Sequence, residues 1–134
     1  MDWEACCNKK VVKSITPDLD MATALVKSSN NKLTSETQLP LNDVTSSSKI
    51  SLAYDSLREL LEAVALRKGF KVYNHECYTA FLKEVLQESD QGDAFDRIRK
   101  IRNDINYYGK EISIAEAQRI LKEIKVLRQF VSKL

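Results

Sequence analysis

The length of the chain, 134 residues, is that of one domain, so we expect a single domain over residues 1–134. Its 21 Lys and Arg residues and 19 Asp and Glu residues give a net charge of +2, which excludes a strong overall field for nucleic acid. Any anion site must therefore be local. Three glycines, two prolines and many Leu, Ala, Glu and Lys residues favour helices over a turn-rich β architecture.

The cysteines and the apolar segments predict the cellular compartment of the protein. Cys6, Cys7 and Cys77 are odd in number, and two of them are adjacent, so we expect no disulfide framework and a reducing compartment. The first four residues are acidic rather than leader-like, and no stretch approaches the roughly 18 apolar residues of a membrane span. We therefore expect a cytoplasmic protein without a membrane partner.

The first half of the chain predicts two long helices. Residues 1–15 form either an arm or a short helix, and Thr16, Pro17 and Asp18 have the order of an N-cap, a first helical proline and a first-turn acid. The helix that follows should end before Pro40. Residues 41–48 lack any period and predict a polar loop, after which residues 49–68 repeat apolar side chains at steps of three and four, as in an amphipathic helix.

The second half predicts three further helices. Asn74 is a suitable cap for a helix carrying Cys77 and Phe81, and residues 88–92 should break it. A basic helix follows over residues 93–108, with Gly109 as its left-handed end, and its apolar arc should include Tyr108. Ser113 and Glu116 then form a capping box for the last helix. These amphipathic helices predict an all-α, antiparallel up-down bundle of four to five helices, without β structure.

Most common catalytic motifs are absent from the sequence. It contains no Gly-rich phosphate loop, no Gly-x-Ser-x-Gly elbow and no recognisable carboxylate pair, so we expect no cofactor and no standard hydrolase. His75 is the only histidine, and Cys77 alone lies near it, which is too few ligands for zinc. We expect a capping or packing histidine, with a role as proton donor left open.

The basic helix is the segment that packing alone does not explain. Arg97 and Lys100 should face solvent, whereas Arg99 and Arg102 border the apolar arc, where a guanidinium needs a carboxylate, a second subunit or a phosphate. Asn106 lies one helical turn beyond Arg102. Arg99, Arg102 and Asn106 are therefore the predicted binding residues, and a structural ion pair is the alternative for the arginines.

Residues 102–107, with the sequence Arg-Asn-Asp-Ile-Asn-Tyr, resemble the Arg-x4-His element of HEPN domains (higher eukaryote and prokaryote nucleotide-binding), with tyrosine in place of histidine. Residues 54–63, 69–71 and 73–77 are similar to the second and third helices of that family. Residues 12–18 are similar to the start of its archaeal members. The likeness covers most of the chain, but only the arginine motif carries chemistry.

The resemblance implies a helical homodimer, and it implies either RNA binding or metal-independent RNA cleavage, in some members as a toxin beside a nucleotidyltransferase-type antitoxin. In this sequence Arg102 would contact the scissile phosphate, Asn103 would position it, and Tyr107 would take the place of the histidine. Tyrosine has a pKa near 10 and is a poor base at neutral pH, so cleavage should be weak or lost. Five residues also advance about 140° around a helix, which separates Arg102 from Tyr107.

Three hypotheses follow. The first is a dimer that binds RNA or a partner protein at Arg99, Arg102 and Asn106. The second is a ribonuclease in which Arg102 neutralises phosphate and Tyr107 or His75 supplies a proton during 2′-hydroxyl attack. The third is a purely structural homodimer whose arginines pair with Asp96 and Asp104 across the interface.

Overall fold

Amphipathic helices that bury their apolar faces against one another build most of the molecule. The computed structural model describes residues 1–134. Its helices are α1 (Trp3–Asn8), α2 (Leu19–Gln38), α3 (Ser46–Arg67), α4 (Glu76–Ala80), α5 (Ser89–Tyr108) and α6 (Ile114–Val131). A π-helical turn, Phe81–Val85, continues α4. The prediction of an all-α bundle is confirmed: four long helices carry the fold, and two short ones complete it.

Helix α3 lies at the centre of the bundle, and nearly its whole circumference is therefore buried. Helices α2 and α6 pack against it on different sides, and α5 packs against α3 and α4. The main core contains 25 buried residues, whose largest side chains include Tyr54, Tyr78, Phe81 and Phe95. None of the six helices combines the length and the apolar composition that crossing a membrane requires. The site described below lies where α3, α4 and α5 meet.

The expectation of no β structure is wrong at one place. Strand β1 (Val12–Ser14) pairs antiparallel with β2 (Phe70–Val72) in a small two-stranded sheet. Each strand has three residues, too few for the two-residue alternation that would reveal it in a sequence. The sheet joins the N-terminal segment to the connection that follows α3. Its paired residues Val12 and Val72 are both buried.

The expectation of no disulfide is also wrong. Cys6 of α1 and Cys77 of α4 are bonded, with their Cα atoms 6.1 Å apart, and the exposed Cys7 is free. Adjacency excludes only the pairing of Cys6 with Cys7, whereas the observed pair is 71 residues apart and forms because α1 folds onto α4. With this bond present, the cysteines no longer indicate a reducing compartment, and the cytoplasmic location stays a prediction.

Three predicted helix starts shift. Helix α2 begins at Leu19, and its N-cap is Asp18, whose carboxylate accepts from the backbone N–H of Met21, rather than Thr16. Helix α3 begins at Ser46, so the polar loop is shorter than residues 41–48. Helix α5 begins at Ser89 and includes Gly92, which lies so close to the Lys83 side chain that a Cβ atom would clash.

Two predicted helix ends are confirmed. Gly109 takes the left-handed conformation, with φ of 63°, and terminates α5. Ser113 caps α6, and its hydroxyl accepts from the Glu116 backbone N–H at 3.1 Å, which is one half of the predicted capping box. The Glu116 carboxylate accepts from the Ser113 hydroxyl rather than from its backbone N–H. Helix α5 is therefore continuous through the whole arginine motif, which fixes the directions in which its side chains point.

Candidate functional site at the junction of α3, α4 and α5

The four cations of α5 divide into an outer and an inner pair. The side chains of Arg97 and Lys100 are 59% and 67% exposed, whereas those of Arg99 and Arg102 are only 14% and 18% exposed. This division confirms the prediction from helical periodicity. The outer pair is solvated, and the inner pair lies at the border of the core, where its charges interact strongly with neighbouring groups.

Three of the four cations are in contact with a carboxylate, and two of the three share the same one. Arg97 pairs with Glu123 of α6. Asp96 accepts from Arg99 at 2.8 Å and lies 3.0 Å from the Lys100 ammonium. Burial raises the pKa of Asp96, but the hydrogen bonds from Arg99 and Lys100 outweigh it and hold the pKa below its ordinary value. These contacts are ion pairs within one chain, and they stabilise the fold.

Arg102 differs from the other three because no carboxylate touches it. Its nearest carboxylate oxygen, on Asp55, is 4.0 Å from Nη2, beyond hydrogen-bond distance. Its guanidinium carbon lies 5.1 Å from the ring centroid of Tyr54, within the range of a cation–π contact. With the Asn106 amide oxygen facing Arg102, that oxygen accepts from Nε at 3.0 Å and from Nη2 at 3.3 Å. A neutral amide and an aromatic face therefore hold a charged group in place.

Beneath Arg102, Tyr54 and His75 form a neutral pair. The Tyr54 hydroxyl is 3.2 Å from Nδ1 of His75. Burial raises the pKa of Tyr54 to about 12, although the positive charge of Arg102 opposes the shift. Burial also lowers the pKa of His75 to about 4, and the charges of Arg58, Arg102 and Arg99 lower it further. Both groups are uncharged at neutral pH, so the charge of the cluster resides on its arginines.

The predicted site residues divide into two groups. Asn106 contacts Arg102, and Arg99 lies one turn before Arg102 on the same side of α5. Tyr107 is 71% exposed and, on this unbroken helix, is rotated about 140° from Arg102, so the two do not share a site within one chain. Asn103 is half-buried. Tyr108 is 83% exposed, which corrects its assignment to the apolar arc.

Sequence reasoning missed the contribution of α3. Tyr54 is the face on which Arg102 rests, and Arg58, which pairs with Glu62 at 3.0 Å, lowers the pKa of His75. The place of Tyr54 in the apolar stripe of residues 49–68 predicts only a core side chain. The available signal was the pair Asp55 and Arg58, two charges beside the apolar stripe of a mostly buried helix.

Two observations bear on the kind of site this is. No group of three or more His, Cys, Asp or Glu side chains converges anywhere in the structure in a way that would hold a metal ion. No protein-family model matches the chain, and no curated protein is similar enough in sequence to count as a relative. The geometry around Arg102 and the motif resemblance are the two features of the chain that point to a function.

Proposed function

We propose that this protein binds single-stranded RNA at the face of α5 that carries Arg99, Arg102 and Asn106, as a HEPN-like module with weak or lost cleavage. The observation that carries the proposal is Arg102, a largely covered guanidinium that is oriented by Tyr54 and Asn106 without a carboxylate in contact. A backbone phosphate would supply the direct anionic contact that Asp55, at 4.0 Å, does not make, and arginine is well suited to phosphate because its donors form a planar fork.

Exposed aromatic residues favour RNA over other anions. Tyr107 and Tyr108 are 71% and 83% exposed at the end of α5, next to Asn106. Exposed rings on a helix that also carries cations are typical of single-strand binding, where bases stack on aromatic side chains and cations contact the backbone. Because Tyr107 is rotated about 140° from Arg102, in this proposal it stacks a base elsewhere along the strand and does not replace the motif histidine.

Cleavage is the second candidate function, and His75 is the observation that favours it. A neutral imidazole is a possible proton acceptor, and Tyr54 connects it to the residue that would hold the phosphate. Its lowered pKa makes it a weak base, so the expected rate is low. If RNA is cut without added metal, His75→Gln should abolish cutting, whereas Tyr107→Phe should preserve it.

The homodimer remains part of the proposal. A second copy of the chain that brings its own α5 to this face would place two Arg102 side chains along one RNA strand, as the HEPN resemblance implies. Sedimentation equilibrium tests this point, with a dimer as the expected result. If Arg102→Ala dissociates the dimer and the wild-type protein binds no RNA, the purely structural hypothesis is the correct one.

The binding proposal is tested by fluorescence anisotropy with a labelled single-stranded RNA in metal-free buffer. Arg102→Ala should weaken binding at least about tenfold, because a charge-assisted contact is lost. Arg97→Ala is the matched control, since it removes the same charge from the outer face of the same helix. Equal affinities of the two variants, or wild-type binding that rising salt does not weaken, would contradict the proposal.

A further inference from the structure

Arg128 of α6 is a second guanidinium without a carboxylate, on a different side of the bundle. Its Nε donates to the Ser56 hydroxyl at 2.6 Å, and its Nη2 donates to the Ser29 hydroxyl at 3.1 Å and to the Asn30 amide oxygen at 2.6 Å. These three neutral oxygens leave both N–H groups of Nη1 without a protein acceptor. Burial lowers the pKa of Arg128, as expected for a charge withdrawn from water without a counter-ion.

A cavity of about 240 Å³ lies beside this guanidinium, between α2, α3 and α6. Arg67, in the last turn of α3, lines it too, and no Asp or Glu does. The lining also includes the aliphatic side chains Val26, Leu60 and Val64. The cavity therefore combines two positive charges with an apolar wall, and its volume equals that of about eight water molecules in the liquid.

Helix dipoles compensate these charges only in part. Arg67 and Arg128 both lie in the last turns of their helices, where the negative end of the dipole favours a cation. That end carries only about half an elementary charge, so two full positive charges exceed what two helix ends supply.

We propose that this cavity binds a short-chain aliphatic carboxylate. Its head group lies between Arg67 and the free Nη1 edge of Arg128, and its alkyl chain contacts Val26, Leu60 and Val64. A carboxylate matches the planar donor fork of a guanidinium. A singly charged head group is cheaper to desolvate beside aliphatic side chains than a phosphate dianion, which favours the carboxylate over inorganic phosphate. The site is independent of the RNA face at Arg102.

Hexanoate is the probe for this site, and isothermal titration calorimetry on the full chain is the measurement. We expect saturable binding with one hexanoate per chain. Hexanol and hexylammonium, which keep the alkyl chain and remove or reverse the charge, should bind at least about tenfold more weakly. Absence of saturable hexanoate binding, equal binding of hexanol, or binding of inorganic phosphate without binding of hexanoate would overturn the proposal.

Arg67→Gln is the preferred variant, because Arg67 is exposed and makes no ion pair, so the fold does not depend on it. It should weaken hexanoate binding about tenfold, which corresponds to one lost charge-assisted hydrogen bond. Arg119→Gln, which removes an exposed charge from α6 outside this cavity, is the control and should bind like the wild type. Equal affinities of Arg67→Gln and Arg119→Gln would overturn the assignment. RNA binding by Arg67→Gln should match that of the wild type.

Discussion

Two cations that are largely withdrawn from water, Lys49 and Arg102, are compensated in opposite ways. The Lys49 ammonium, with a side chain 7% exposed, lies 3.1 Å from the buried Glu36 carboxylate and donates to two backbone carbonyls. Arg102, 18% exposed, has one amide oxygen, an aromatic ring and a carboxylate only at 4.0 Å. The hydrogen-bond donors of Lys49 are saturated, so this residue can only stabilise the fold. Arg102 still has N–H donors and positive charge available for a ligand.

The largest effect that this contrast predicts is a loss of folding stability when Lys49, the saturated cation, is replaced. Lys49→Met should lower the free energy of unfolding by about 3 kcal/mol, because it leaves the buried Glu36 carboxylate with a single cation, Lys125, 3.4 Å from its other oxygen. Urea denaturation measures the change. The double variant Glu36→Gln, Lys49→Met should recover part of the loss, and Lys122→Met, at an exposed lysine, is the control. A Lys49→Met protein as stable as this control would remove the basis of the contrast.

A second large effect concerns the covalent restraint on α4, the helix that begins beside His75. Cys77→Ala should lower the free energy of unfolding by about 3 kcal/mol, since the bond to Cys6 closes a loop of 71 residues in the unfolded chain. Cys7→Ala removes the exposed free thiol and should leave stability unchanged. If reduction with dithiothreitol changes neither the melting temperature nor the thiol count of the wild type, the cysteines are not bonded.

An intermediate effect is expected in the pH dependence of stability, through His75, whose pKa is lowered in part by the charge of Arg102. The pKa of His75 is about 4 in the folded state and near 6.5 in the unfolded state, so the unfolded chain binds more protons between these values. Stability should therefore fall as the pH is lowered from about 6.5 towards 4. After allowance for solvent screening, the loss at pH 5 should be about 1 kcal/mol. His75→Gln should flatten this part of the profile, and an unchanged profile would contradict the pKa assignment.

The smallest expected effect is the stability change at the unsaturated cation. Arg102→Ala should cost only about 1 kcal/mol, because it removes a cation–π contact and hydrogen bonds to a neutral amide. Thermal or urea denaturation measures it beside Lys49→Met. A loss as large as that of Lys49→Met would mean that Arg102 is a structural residue, and that its effect on RNA binding reports damage to the fold.

The helices, their amphipathic faces and the division of the four cations followed from local periodicity, because burial repeats with the helical turn. The pairs that Asp96 makes with Arg99 and Lys100 have helical spacing too. The partners on other helices could not be predicted in this way, because the contacts of Arg97 with Glu123 and of Arg102 with Tyr54 depend on how α5 packs against α6 and α3. The bond between Cys6 and Cys77 and the three-residue strands likewise depend on segments far apart in the chain. Contacts between distant segments leave no periodic pattern in the sequence from which they could be predicted.

The most direct test of RNA binding at the α5 face is an NMR titration of the ¹⁵N-labelled protein with a short single-stranded RNA in metal-free buffer. We predict chemical-shift changes over residues 99–109 and 54–58, together with a shifted Nε–Hε signal of Arg102. The same spectra of Arg97→Ala should show the same pattern. Shifts confined to other faces of the bundle, or an Arg102 signal that does not move at saturating RNA, would contradict the account.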